Sequence, residues 1–268
     1  KTTLAQILMT CVATGQDFYG NPVTKGKVFA IFCEDGLANI QRRQQVINES
    51  LGLSMKDLSS VVFDARQGNP CEFMTWEKMG APGAKSTYWA AINAMLAIKQ
   101  PDLLVVDTAI DTYGDNVNDP ARVRKYIREC LISLAKEHNC AVLLLGHTSK
   151  STATNQSEFM GTEAWNNTVR SRLFMSREEG SPKINTELMK SNYAPIGWDL
   201  DLCSDDEGML QAFVDTGFFT DERDRNQDDD LVDVLKYMEK FDMPASTKRG
   251  INYLPKAAFD ITKGKKKG

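Results

Sequence analysis

An α/β fold, with a mainly parallel sheet covered by helices on both faces, is what this sequence predicts, and three observations predict it. Val28-Phe29-Ala30-Ile31-Phe32, Leu103-Leu104-Val105-Val106-Asp107 and Ala141-Val142-Leu143-Leu144-Leu145 are short, continuous apolar runs. Strands that alternate polar and apolar residues bury one face; continuous runs of this kind bury both. Between them lie segments whose apolar residues recur at helical spacing, so that strands and helices take turns along the chain. The 268 residues suffice for one large domain of this type with a small appendage.

Residues 3–14 (TLAQILMTCVAT) read as a helix stopped by Gly15. The strand at 28–32 closes on Cys33-Glu34-Asp35-Gly36, and a helix is expected from about 37 to 52, then a strand at 61–65. Gly, Pro and Cys between 68 and 83 predict an irregular loop, and a helix follows at 85–98. The strand at 103–107 ends on Asp107. Asp119-Pro120 supplies an N-cap and a proline at the first helical position for a helix to about 138, and the strand at 141–145 comes next. After residue 170, strands near 172–177, 183–190 and 209–214 lie close together with turn signals between them, as in an antiparallel extension of the sheet. The charged stretch 221–230 (DERDRNQDDD) marks a linker between a core at 1–220 and a C-terminal module at 231–268, which opens with an amphipathic helix at 231–241.

Composition narrows the classes. Hydrophobic residues make up 42% and charged residues 25%, the balance of a globular protein that keeps to water. No run approaches the roughly 20 apolar residues of a spanning helix, so no membrane partner is expected. The six cysteines (Cys11, Cys33, Cys71, Cys130, Cys140, Cys203) form no C-x-x-C pair and only two histidines accompany them. That spacing argues against a metal cluster or disulfide framework and predicts free thiols in a reducing, cytoplasmic setting. The first residues do not read as a signal peptide. With no initiator Met, the expectation is a start inside a longer gene product. The net charge of −4 weighs lightly against a nucleic-acid partner. A ring can nonetheless line its channel with basic groups while its outer surface stays acidic.

Chemistry gathers at the strand ends. Lys1-Thr2-Thr3 ahead of an apolar helix matches the second half of a P-loop, G-x-x-x-x-G-K-[ST], whose glycines and preceding strand would fall before residue 1. In that motif backbone N–H groups cradle phosphates, Lys reaches the β/γ oxygens and the hydroxyl ligates Mg²⁺. Alone, the three residues are no more than a polar start. A P-loop ATPase also needs an acidic residue ending a buried strand, and Asp107 supplies one. Glu34, at the end of the strand after the first helix, is a candidate to polarise water, or else a solvated strand-end carboxylate. His147, after the strand at 141–145, stands where a γ-phosphate sensor would lie, or else is an ordinary structural histidine. Together these ends converge on the carboxyl edge of one sheet, where open α/β folds bind ligands.

At this point the sequence resembles the RepA-type replicative helicases, RecA-like ATPases of plasmids and phages related to DnaB. The resemblance rests on KTTLAQILMTCVATG, GKVFAIFCEDGLANIQRR, LLVVDT, VLLLGHTSK, GTEAWNNTVRSRLF and LMKSNYAP, six segments in the family's order over residues 1 to about 195. It implies ATP and Mg²⁺ as ligands, with Lys1, Thr2 and Thr3 on the phosphates, Thr2 and Asp107 on the metal, Glu34 as catalytic base and His147 as sensor. Arg170 matches the family's arginine finger, which reaches the neighbouring subunit's ATP; the residues alone leave an ordinary strand-edge charge open. Lys190 falls in an element like DnaB's K-x-R-N, but Asn192 stands where DnaB carries Arg, so only Lys190 remains as a second cation. The implied assembly is a ring, hexameric in this family, acting on single-stranded DNA. Contacts with that strand are expected in the polar loop 148–160, with Lys150 its one cation and Phe159 a stacking or packing aromatic. Residues 231–260 look like the first part of a winged-helix module, or a helix packed on its own motor. Two rival readings stay open: a RecA-like ATPase of recombination, repair or packaging that does not unwind duplexes, and a non-catalytic DNA-binding regulator working through 228–268.

Overall fold

A computed structural model describes residues 1–76, 83–147, 161–193 and 199–213. The chain divides into two units, Lys1–Gln211 and Ala212–Gly268, of which the second lies beyond the described residues except for its first two. The expectations for the linker at 221–230, the helix at 231–241, the winged-helix-like module and the loop 148–160 therefore fall outside them.

Helix α1 (Thr2–Thr14) is closed by Gly15, whose left-handed φ of 79° lets its N–H return to the Cys11 carbonyl. Strand β1 (Val28–Phe32) follows, then α2 (Leu37–Leu51), a 3₁₀ turn at Met55–Leu58 and β2 (Val61–Ala65). The segment expected to be an irregular loop contains a two-stranded antiparallel pair, β3 (Met74–Thr75) with β4 (Ala84–Lys85). Helix α3 (Thr87–Lys99) starts where the Ser86 side chain accepts from the Trp89 N–H. Strand β5 (Leu103–Asp107) leads into the short α4 (Ala109–Tyr113). Then comes α5 (Pro120–Tyr126), capped by Asp119 as expected, which runs through a π turn at Ile127–Ile132 into α6 (Ser133–Glu137). Strand β6 (Ala141–Leu145), α7 (Ala164–Thr168) and strands β7 (Ser171–Arg177), β8 (Lys183–Ser191), β9 (Asp199–Ser204) and β10 (Leu210–Ala212) complete the order.

The parallel sheet has the strand order β2-β1-β5-β6. Its register sets Phe32 opposite Asp107 and Asp107 opposite Leu145, so three strands end level. Because successive strand residues point to opposite faces, the continuous apolar runs feed two separate cores. Val28, Ala30, Phe32, Leu103 and Val105 meet Ala5, Met9 and Ala13 of α1 and Ile40 of α2 on one face. Phe29, Ile31, Leu104 and Val106 meet Trp89, Ile92 and Leu96 of α3 and Tyr126 of α5 on the other. All five residues of β1 are buried, as are all five of β5.

The antiparallel part expected after residue 170 is present as a sheet of its own, ordered β10-β9-β8-β7. It contributes Leu202, Met209 and Leu210 to a third cluster with Leu4, Ile7 and Cys11. Helix α1 thus turns one face to each sheet, which explains why it is apolar nearly all round. Its buried polar residues are Gln6 and Thr10, with the other threonines at its two ends. Gln6 Nε2 donates to Gln44 Oε1 (3.2 Å), and Gln44 Nε2 donates to Thr10 Oγ1 (2.7 Å) and Asn48 Oδ1 (3.0 Å). This polar seam sets α1 against α2 in one register, because any slip leaves amides unpaired in an apolar surround. All six cysteines are free and buried. No described helix is long and apolar enough to cross a membrane.

Truncating Gln44 to Ala removes the amide that donates to Thr10 Oγ1 and Asn48 Oδ1 and accepts from Gln6. The expected loss is about 1–3 kcal/mol of folding stability, the cost of leaving buried polar groups unsatisfied, measured as a shift in the urea midpoint at constant slope.

Candidate active site

Four chain ends meet at the carboxyl edge of the parallel sheet. The first is the start of α1, where the leading N–H groups have no partner inside the helix and carry the positive end of its dipole. Thr2, in its first turn, donates from Oγ1 to Asp107 Oδ2 at 2.7 Å. Lys1 Nζ donates to the Gly146 carbonyl at 2.7 Å, just beyond β6. Thr3 is half-buried in the same turn. Asp107, the last residue of β5, is 5% exposed. Its carbonyl accepts the Cys33 N–H at 2.6 Å, tying the end of β5 to the turn that carries Glu34. His147 Nε2 lies 3.9 Å from Glu34 Oε1, and both side chains are more than half exposed, open to a ligand above the sheet.

The electrostatics favour a cationic or phosphate-bearing occupant. Burial pushes the Asp107 carboxyl above the usual aspartate range, with the Thr2 hydrogen bond working against it. Glu34 is also raised, first by partial burial and then by the Asp111 carboxylate, while His147 pulls the other way. Lys1 is lowered by desolvation, opposed by Asp107. A carboxylate this buried, with a hydroxyl as its side-chain donor, is a costly group that a divalent cation would stabilise.

The donor set fits Mg²⁺. Thr2 and Asp107 present hard oxygen donors side by side, and Mg²⁺ typically takes one or two carboxylates together with substrate phosphates and water. Among the described residues no group of three or more His, Cys, Asp or Glu could hold a metal by itself. The site therefore offers a half-shell to be completed by a ligand.

Some groups at this edge were not anticipated from the sequence. Arg43 of α2 pairs with Asp35 (2.7 Å) and donates to Gln6 Oε1 (2.7 Å), bracing the turn beside Glu34 against α1. A lone amide within an apolar helix is a signal that could have marked Gln6; Arg43, in α2, carried no such signal. Asp111 accepts a hydrogen bond from the Thr108 hydroxyl immediately after Asp107. The peptide between Asp107 and Thr108 is cis.

Lys1, Thr2, Glu34, Asp107 and His147 are thus brought together. The other two candidates stand elsewhere, beside the antiparallel sheet. Arg170 is exposed at the junction of α7 and β7. Lys190, in β8, directs its ammonium to the carbonyls of Asn166 (2.9 Å), Asn167 (3.2 Å) and Val169 (2.9 Å).

A helix start, a buried aspartate ending β5 and a glutamate in the turn after β1, all on one edge of a parallel sheet, are the arrangement of a RecA-like fold. A family profile described as AAA_25, an AAA domain, matches residues 1–153, and the chain belongs to that family. Among solved structures it is similar to the RadB recombinase, with a TM-score of 0.52 and 17% identity over 80% of this chain and 86% of that one. No curated protein matches the chain.

Asp107 links stability to pH in a direction opposite to a salt-bridged aspartate. A carboxyl raised in the folded state favours the protonated fold, so its contribution is present at low pH and is lost as pH rises through its folded value. Asp107→Asn removes that burden while keeping an acceptor for Thr2. The ligand-free protein is expected to gain about 1 kcal/mol at neutral pH, in the range usual when an active-site strain is relieved. A thermal melt across pH checks this: the variant's advantage should shrink in acid.

Proposed function

We propose that this chain is the motor of a RepA-type replicative DNA helicase, which hydrolyses ATP between the subunits of a hexameric ring and moves along single-stranded DNA. The observation that carries the reading is the Lys1–Thr2–Asp107 cluster facing Glu34 and His147 at a single sheet edge. Membership of the AAA-domain family supports nucleotide hydrolysis, and the six ordered segments shared with RepA-type helicases support the finer assignment.

In this reading Lys1 contacts the β- and γ-phosphate oxygens of ATP, and the N–H groups at the start of α1 face them. Thr2 and Asp107 would hold Mg²⁺, which when bound would neutralise phosphate charge. Glu34 orients water toward the γ-phosphorus and takes its proton as the bond to the β-phosphate oxygen breaks. The raised carboxyl suits a group that must accept a proton. His147, beside Glu34, senses whether the γ-phosphate is present. Arg170 of a neighbouring subunit neutralises charge spread over the equatorial oxygens in the transition state. Dividing the site between subunits makes hydrolysis depend on assembly and links each turnover to subunit motion.

A second reading keeps the ATPase and changes its task. The fold shared with a recombinase suits a motor of recombination or repair that moves on DNA without separating strands.

Hydrolysis by the full-length protein, with and without single-stranded DNA, tests the proposal. Turnover should rise with DNA and vanish in Glu34→Gln. Its acid limb should inflect above the ordinary glutamate range, because the base must be ionised and its carboxyl is raised. Arg170→Ala should lose roughly 10³–10⁵ in turnover with nucleotide affinity kept. Displacement of a labelled strand from a fork then separates the helicase from a motor that only translocates; DNA binding without hydrolysis would overturn both.

A further inference from the structure

We infer that Lys190 is a positioning residue for Arg170, working through the carbonyls that lead up to it; the inference rests on the reading of Arg170 as the residue that completes a neighbour's site. A lysine ammonium has three donors. Here they reach the carbonyls of Asn166, Asn167 and Val169, all within the four residues before Arg170. These carbonyls belong to the end of α7 and the residue that follows it, where helix geometry leaves acceptors without intrahelical partners. One half-buried cation therefore satisfies three acceptors at once.

Further contacts make this a seat rather than a single tether. The Asn192 N–H donates to the carbonyl of Arg170 itself at 3.0 Å. Arg172 Nη1 donates to Asn166 Oδ1 at 3.3 Å. The strand pairing sets Arg172 opposite Lys190 and Ser171 opposite Ser191, with an irregularity in register immediately after. At the other end of α7 the buried Trp165 donates its indole N–H to the Val117 carbonyl at 3.2 Å and packs against Tyr113 and Tyr126. The backbone from 165 to 170 is thus fixed to the core at one end and to β8 at the other, while the Arg170 side chain stays exposed.

The chemistry explains why a lysine serves here and an arginine serves at 170. A compact ammonium with rotatable donors suits three carbonyls converging from different directions, whereas a planar guanidinium suits the oxygens of a phosphate. Lys190 acts within its own chain and reaches ATP only through where it places Arg170. Without its ammonium three carbonyls lose a partner, the segment loosens and the guanidinium no longer arrives in one position.

The test compares Lys190→Met, Lys190→Arg, Arg170→Ala and the Lys190→Met/Arg170→Ala double variant in the full-length protein. The readouts are turnover, affinity for a fluorescent ATP analogue and the melting temperature. Lys190→Met should lose about 10- to 10²-fold in turnover, the scale expected when a catalytic group is slightly misplaced, with affinity unchanged. Lys190→Arg should recover part of that loss. The double variant should be no slower than Arg170→Ala, because a misplaced arginine and an absent one affect the same step. Weakened analogue binding in Lys190→Met, or losses that multiply in the double variant, would overturn the inference in favour of direct contact with nucleotide. Unchanged turnover in Lys190→Met beside a slow Arg170→Ala would sink the seat alone. Full activity in Arg170→Ala would remove the finger reading beneath it. If Lys190→Met melts too early to assay, the Lys190→Arg and Asn192→Pro variants carry the same comparison, since proline deletes the N–H that holds the Arg170 carbonyl.

Discussion

A hydrogen bond between Thr2 and the buried Asp107 is the constraint on which the rest of the site depends. It joins the first turn of α1 to the end of a central strand, and so fixes where the helix start stands relative to the sheet. Everything else at the edge takes its place from that junction. Lys1 extends to the end of β6, the carbonyl of Asp107 holds the turn after β1, and that turn presents Glu34 toward His147. Such a junction is unfavourable in a protein built for stability alone, because it buries a carboxylate that burial drives toward its neutral form. It makes sense where a divalent cation and phosphate oxygens complete the shell.

Packing continues that constraint into the second sheet. Helix α1 is clasped by both sheets, with Met9 toward the parallel core and Leu4 and Ile7 toward Leu202 and Leu210. Tyr19, beyond its C-terminus, donates to the carbonyl of Leu210 at 2.8 Å. The antiparallel sheet that carries Lys190 and stands next to Arg170 is therefore seated on the same helix whose first turn carries Thr2. Close-packed contacts of this kind transmit displacement poorly as continuous strain and well as shifts of whole elements. That behaviour suits the proposed ring, in which one subunit's ligand state would be read by residues of its neighbour.

The parallel core was legible because three of its strands, β1, β5 and β6, are built on continuous apolar runs, while β2 at 61–65 follows from its β-branched and aromatic residues in spite of Asp64. The Asp119-Pro120 start was legible for a local reason, a cap whose chemistry needs no tertiary context. Elements that lean on their surroundings were not. Helix α4 is a five-residue turn held by the buried contact between Thr112 and Tyr126 (2.6 Å), and nothing in Ala109–Tyr113 advertises it. Strand β9 alternates apolar and polar residues in Asp199–Ser204, but its two aspartates lower its strand propensity, and its place comes from pairing with β8. At the site, the sheet-edge placement of Glu34, Asp107 and His147 could be read from their position at or after strand ends along the chain. Lys190 was singled out as a second cation, but its grip on the α7 carbonyls, like that of Arg43 on Asp35, was not legible, because a cation reads the same in sequence whether or not it has something to grip.

The most direct measurement of the central claim is Mn²⁺ binding, followed by electron paramagnetic resonance, to the full-length protein in the presence of a non-hydrolysable ATP analogue. One nucleotide-dependent Mn²⁺ per chain is expected, lost in Asp107→Ala and weakened in Thr2→Ala, with no comparable site when the analogue is left out. Metal bound equally well without nucleotide, or undisturbed by loss of the Asp107 carboxylate, would contradict that claim and leave the Thr2–Asp107 junction as a structural feature of the fold.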